Sequence, residues 1–140
     1  IGPGSLYTSI LPNLLVSGIA EALELAAAAK IYVCNIATQR GETDKYTVEA
    51  HVKTLQSHTS RTIVDYVVTN SKIMELGTPY LGLPVISDRT PLEHAVLVRG
   101  NLVDRDHPVR HEPKNLARVI MDVYHGKRRF PTSASGGNTG

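Results

Sequence analysis

Hydrophobic and polar positions change period several times along the chain, and each change marks an element. Ser5 to Leu15 carries apolar residues at helical spacing, which predicts a short helix that Pro12 ends or kinks. From Ser17 or Gly18 to Ala29 the stripe Ile19, Ala22, Leu23, Ala26 and Ala27 predicts a second helix, its alanines small enough to lie close on a sheet. Lys30 to Ile36 is apolar without alternation, as in a parallel strand covered on both faces. Thr38 to Lys45 is polar, contains Gly41 and reads as a loop.

Helical spacing returns at Thr47 to about His58. Thr47 is placed to cap that helix, Glu49 suits its positive end, and Val48, Val52 and Leu55 form the buried stripe, with His51 and His58 at its border as half-buried packing residues. Ile63 to Thr69 reads as a second buried strand. Asn70 to Pro91 offers only short apolar pieces between prolines and glycines and predicts no element. His94 to Val103 carries one or two further strands. Pro113 to His125 is a helix with proline in its first turn, Leu116, Ile120, Val123 and Tyr124 facing inward, and Gly126 at the position past its end. Helix and strand in alternation specify an α/β fold of Rossmann-like class, a mainly parallel sheet flanked by helices.

Composition narrows the function classes. The chain has 140 residues, enough for one ordinary domain or part of a larger one, and 41% hydrophobic with 20% charged residues excludes wholesale disorder. With no tryptophan and a net charge of +2, neither a base-stacking surface nor a nucleic-acid partner is expected. The lone Cys34 cannot form an internal disulfide, which points to a reducing, cytoplasmic setting, and it reads as a buried strand residue. No run approaches the roughly 20 apolar residues of a membrane span, and no signal peptide is visible. The chain starts at Ile1 and not at methionine, so residues 1–126 are expected to be the carboxy-terminal part of a larger, here incomplete, Rossmann-like fold. Residues 127–140, basic and then Ser/Gly-rich, are expected to form a disordered tail.

In such sheets ligands sit at the carboxyl ends of strands, and two loops qualify. In Gly2-Pro3-Gly4-Ser5 the glycines let backbone approach a ligand closely, while Ser5, Thr8 and Ser9 add hydroxyls near a helix start. Phosphate or pyrophosphate is the natural guest, although an ordinary N-cap after a tight turn has the same look. Asn35 to Asp44 follows a buried strand; Asn35 and Thr38 could orient a polar ligand, and Glu42 and Asp44 could bind a metal or act as acid and base, or merely shape the turn. Arg110 offers two-point recognition of an anion if the fold brings it to the opening turn, and is otherwise a surface arginine. His107 and His111 have a zinc-like spacing, but Pro108 argues against the helix that such ligands need, and no metal site is expected. No Ser–His–acid set stands out and Cys34 has no evident base, so the catalytic residues are unknown.

The pieces GPGSLYTSILPNLL, GIAEAL, KIYVCN, TQRGETDKYT, His51, IVDYVV and VRHEPKNLA, in that order from Ile1 to about Tyr124, resemble the gluconeogenesis factor family, a branch of the 2-phospho-L-lactate transferase-like superfamily. The resemblance implies a protein of about twice this length with a GGGTG-type loop in its other half. It implies binding of a sugar nucleotide such as UDP-N-acetylglucosamine, and a regulatory role in cell shape and peptidoglycan precursor supply during gluconeogenic growth. By position, Gly2, Pro3, Gly4 and Ser5 would line the diphosphate, Asn13 and Arg110 would be ligand-associated, and Asn35, Thr38 and Glu42 belong to the second polar loop. The wider superfamily implies the alternative, a phospholactyl-type transferase with Mg²⁺ on Glu42 or Asp44. Two departures stand out: Ala37 replaces a usual methionine and Lys45 a usual glycine, and Ser71–Arg89 matches poorly. Unpaired edges of a partial sheet could also promote homo-oligomers.

Overall fold

The computed structural model describes residues 1–126, so the predicted tail lies outside the described residues. A π-helical turn, Leu6–Ile10, runs directly into α1 (Leu11–Leu14), followed by α2 (Ile19–Leu25), β1 (Ile31–Val33), α3 (Val48–His58), β2 (Tyr66–Asn70), β3 (Val96–Gly100) and α4 (Pro113–Tyr124). The three strands form one parallel sheet in the order β1-β2-β3, with Ile31 opposite Tyr66 and Tyr66 opposite Val96. Alternate strand residues feed opposite faces. Tyr32 and Val67 pack against Leu6, Ile10 and Leu14 and against Val48, Val52 and Leu55 of α3. Val68 and Val98 pack on the other face against Leu102 and against Val119 and Val123 of α4. A sheet buried on both faces is why its strands lack apolar–polar alternation.

Ile1 supplies what the opening turn hangs from. Its amino group donates to the Ile31 carbonyl and its own carbonyl accepts from Val33 N–H, at 2.7 and 2.9 Å, so it lies beside β1 as a parallel strand would, on the side away from β2. The chain then leaves through Gly2, whose φ is +75° and whose absent Cβ would stand 3.0 Å from the Val33 carbonyl oxygen. A side chain there meets both a disfavoured backbone and fixed main chain.

Several elements differ from the sequence expectation. The first helix does not break at Pro12. Ile10 N–H instead reaches the Ser5 carbonyl five residues back, and this wider turn precedes the proline ring. The second helix ends at Leu25, with Ala26 already extended, and none of its residues is buried, so the expected alanine stripe does not lie on the sheet. β1 and β2 are shorter than expected: Cys34 N–H still donates to Val68 O past the end of β1, whereas Ile63 and Val64 are buried ahead of β2. Between His94 and Val103 there is one strand, β3. In α4, Val119 fills the place given to Tyr124, which is 70% exposed. His51 is wholly buried, because it lies on the same face as Val48, Val52 and Leu55, whereas His58 is exposed.

The caps fall where expected. Thr47 Oγ1 accepts from Ala50 N–H at 3.1 Å, and Gly126, at φ +64°, follows the end of α4. Among the described residues no single helix is long and apolar enough to cross a membrane; the pair Leu6–Leu14 and Ile19–Leu25 would be apolar enough together but bends by 74°.

Candidate functional site

The carboxyl ends of Ile1 and β1 open into a cleft of about 610 Å³. Pro3, Gly4 and Ser5 form one wall, Asn35 to Gln39 the floor, Tyr80, Leu81 and Gly82 a second wall, and Val109, Arg110 and His111 a third. Among the described residues no carboxylate lines it, and its one formal cation is Arg110. That volume suits a ligand of nucleotide size.

Hydrogen bonds fix each wall. Gly4 N–H donates to Asn35 Oδ1 at 3.3 Å, tying the opening turn to the loop after β1 and leaving the Asn35 amide NH2 group as the donor it offers. Ser5 Oγ donates to Glu42 Oε2 at 2.6 Å and accepts from Thr8 N–H at 3.2 Å. Its hydroxyl proton is therefore committed to a carboxylate, a strong charge-assisted bond. Thr38 N–H donates to Leu83 O at 2.8 Å, and Leu83 N–H donates back to Thr38 Oγ1 at 2.9 Å. Gly82 lies so close that a Cβ would stand 2.2 Å from the Thr38 carbonyl oxygen. The third wall is a tight turn: Arg110 N–H donates to His107 O, Arg110 O accepts from Asp104 N–H, and Asp104 Oδ1 accepts from the N–H groups of Asp106 and His107. Those backbone donors, and more weakly the His107 and Arg110 charges, hold the Asp104 carboxyl below its ordinary range. His111 Nε2 lies 3.1 Å from Cys34 O and donates to it as the neutral imidazole; burial favours that neutral form, and the Cys34 bond opposes the shift more weakly.

The fold thus brings Pro3, Gly4, Ser5, Asn35, Thr38 and Arg110 to one cleft. It does not bring Gly2 and Asn13 there. Those two line a smaller hollow of about 340 Å³ across the opening turn, sharing Pro3 and Gly4 with the cleft, and Asn13 Nδ2 donates to Ser9 O at 2.6 Å. Thr8 and Glu42 line neither; Glu42 stands behind Ser5 and orients it. Asp44 accepts from Gly41 N–H at 2.7 Å and shapes its own turn. Among the described residues no group of three His, Cys, Asp or Glu side chains converges as a metal ligand set. Cys34 is wholly buried, and burial pushes its thiol up to about 12, a poor nucleophile.

Tyr80, Leu81 and Gly82 were missed by sequence reading, because they sit in a stretch with no periodicity. Its one usable signal was Gly82 itself, an isolated glycine where two backbones meet. Lys45, standing where the resemblance expects glycine, has φ +62°, a backbone that glycine adopts without cost.

A family model described as 2-phospho-L-lactate transferase CofD matches residues 1–127. A gluconeogenesis factor from Halalkalibacterium halodurans is 38% identical over 143 residues, covering 95% of this chain and 43% of that protein. The gluconeogenesis factor of Bacillus subtilis is 40% identical over 131 residues, covering 88% and 41%. A crystal structure of a UPF0052-family protein from Bacillus halodurans superposes with a TM-score of 0.81 at 37% identity, over 86% of this chain and 41% of that one. The chain spans about two fifths of the length of these relatives. With the match running unbroken from the opening turn through α4, the chain belongs to the 2-phospho-L-lactate transferase CofD family.

Proposed function

We propose that this chain forms one side of the ligand site of a gluconeogenesis factor. In this reading the protein is a cytoplasmic regulator that binds a sugar nucleotide such as UDP-N-acetylglucosamine and adjusts cell shape and peptidoglycan precursor supply during gluconeogenic growth. The observation that carries the reading is the cleft itself. Arg110 stands across from a glycine-rich turn at the carboxyl ends of parallel strands, on a lining without carboxylates. A guanidinium facing free backbone approach is the arrangement a diphosphate needs, and the apolar wall of Leu81, Val109 and Leu116 suits the rest of the ligand. The relatives' name, gluconeogenesis factor, supports the link to gluconeogenic growth.

The test is calorimetry of the full-length protein, the parent, with UDP-N-acetylglucosamine. Arg110→Ala is expected to weaken binding by about 1.5–3 kcal/mol, the scale of a charge-assisted hydrogen bond. No binding by the parent protein, or no loss in the variant, would overturn the reading.

The description of the family model favours a second reading, a phospholactyl-type transferase. Mg²⁺ would then fall to Glu42 or Asp44, which are engaged by Ser5 Oγ and Gly41 N–H respectively. Both can still coordinate through their remaining lone pairs. Turnover with a deazaflavin acceptor would establish this reading.

A further inference from the structure

A second cleft, of about 690 Å³, runs along one face of β3, past Ala95, Leu97 and Arg99, to the carboxyl end of β2 at Asn70. Its lining shares no residue with the first, so it is a separate place on the molecule. Among the described residues three cations, Lys72, Arg89 and Arg99, line it, together with the hydroxyls of Ser71, Ser87 and Thr90, and no carboxylate does. The floor is apolar, built from Val85, Leu92 and Leu97.

The cationic rim is held in place by a buried acid. Glu49, on the first turn of α3, accepts from Ser87 Oγ and from Asp88 N–H. Ser87 Oγ in turn accepts from Arg99 Nη2 and from Arg89 N–H, each at 3.2 Å. Asp88, the next residue, accepts from Thr47 Oγ1 and from Thr90 N–H. Among the described residues neither Lys72 nor Arg89 takes part in a salt bridge. Arg89 also holds φ +69°, a left-handed backbone that a non-glycine residue adopts at a cost. A charged side chain is thus kept where glycine would relax the chain, beside two further cations.

We infer that this second cleft binds a phosphorylated small molecule. Lys72, Arg89 and Arg99 would take the phosphate groups, and the Val85–Leu97 floor would take an apolar or planar body. A small polyanion is the class that a lining with three cations and, among the described residues, no carboxylate selects.

The experiment titrates inorganic pyrophosphate by calorimetry into the protein carrying Arg110→Gln, which weakens the first cleft. Saturable binding is expected, weakened about tenfold or more by Arg89→Gln or by Lys72→Gln, each removing a charge-assisted contact. Arg89→Gly separates binding from folding, because it removes the cation and the backbone strain together. It is expected to raise the melting temperature while lowering pyrophosphate affinity. No saturable binding at millimolar pyrophosphate in the Arg110→Gln protein overturns the inference, as does unchanged affinity in the Arg89 and Lys72 variants. Because sugar-nucleotide binding is measured separately in the parent protein, failure here and failure of the first cleft are distinguishable.

Discussion

His51 shows how one buried side chain couples the fold to pH. Its Nδ1–H donates to Thr47 O at 2.8 Å, its ring stacks edge-on against Tyr46, and its Nε2 is buried without a partner among the described residues. Protonating Nε2 would create a charged donor with nothing to receive it, so burial lowers the His51 pKa below its ordinary 6.5, and the Thr47 bond only partly opposes this. His111 is lowered in the same sense and for the same first reason. The sign follows from linkage. Below about pH 6.5 the unfolded imidazoles bind protons that the folded ones refuse, so stability rises with pH in that window. The stabilisation is complete above the unfolded value and is lost as pH falls through the folded one. Urea midpoints are therefore expected to fall steadily from neutral pH toward pH 5, and the fall is expected to shrink in His51→Phe. The exposed Asp88 and Asp104 act only below their ordinary 3.8, so they do not mask it. A flat midpoint across that range would contradict the account.

At the scale of elements, the connection from β2 to β3 carries the largest gap between sequence and structure. Parallel strands need a crossover, and here Ser71 to Ala95 provides one without a helix. Its order comes from distant partners: Thr38 with Leu83, Ile36 O with Val85 N–H, and Glu49 with Ser87 and Asp88. No local period records such contacts, which is why the walls contributed by Tyr80 to Gly82 and by Arg89 were illegible. The strands and α4 were legible because their apolar runs and caps are local. The excess length given to the second helix has the opposite cause. Ala26 to Ala29 have high helix propensity, but Ala27 to Ala29 are exposed, and propensity alone does not hold a segment. Of the site itself, the two loops and Arg110 could be read, whereas their division between one cleft and a neighbouring hollow could not. Gly82→Ala tests the non-local origin of the crossover. With a main-chain oxygen 2.2 Å from the new methyl group, the segment must shift. A loss of about 1–3 kcal/mol in urea denaturation is expected, together with weaker ligand binding at the first cleft. Unchanged stability would mean that the segment packs loosely on Thr38.

On the scale of the whole molecule, the two clefts flank one sheet, the first at the carboxyl ends of Ile1 and β1, the second along β3 to the end of β2. A ligand that binds only the folded chain stabilises it by mass action, by about 2.7 kcal/mol at a hundred times its dissociation constant. For a chain of this size that corresponds to a rise in melting temperature on the order of 10 °C. UDP-N-acetylglucosamine is expected to produce such a rise in the parent protein and about half of it or less in Arg110→Ala, since a 1.5–3 kcal/mol weaker site is mostly empty or only partly saturated at the same concentration. Pyrophosphate is expected to add its own increment on top of a saturating sugar nucleotide. Lining residues that share no member give no direct route for competition, and independent sites add. If the second increment disappears once the first ligand is saturating, the two ligands share one cleft. If it persists and is lost in Arg89→Gln but not in Arg110→Ala, this sheet carries two separate anion sites.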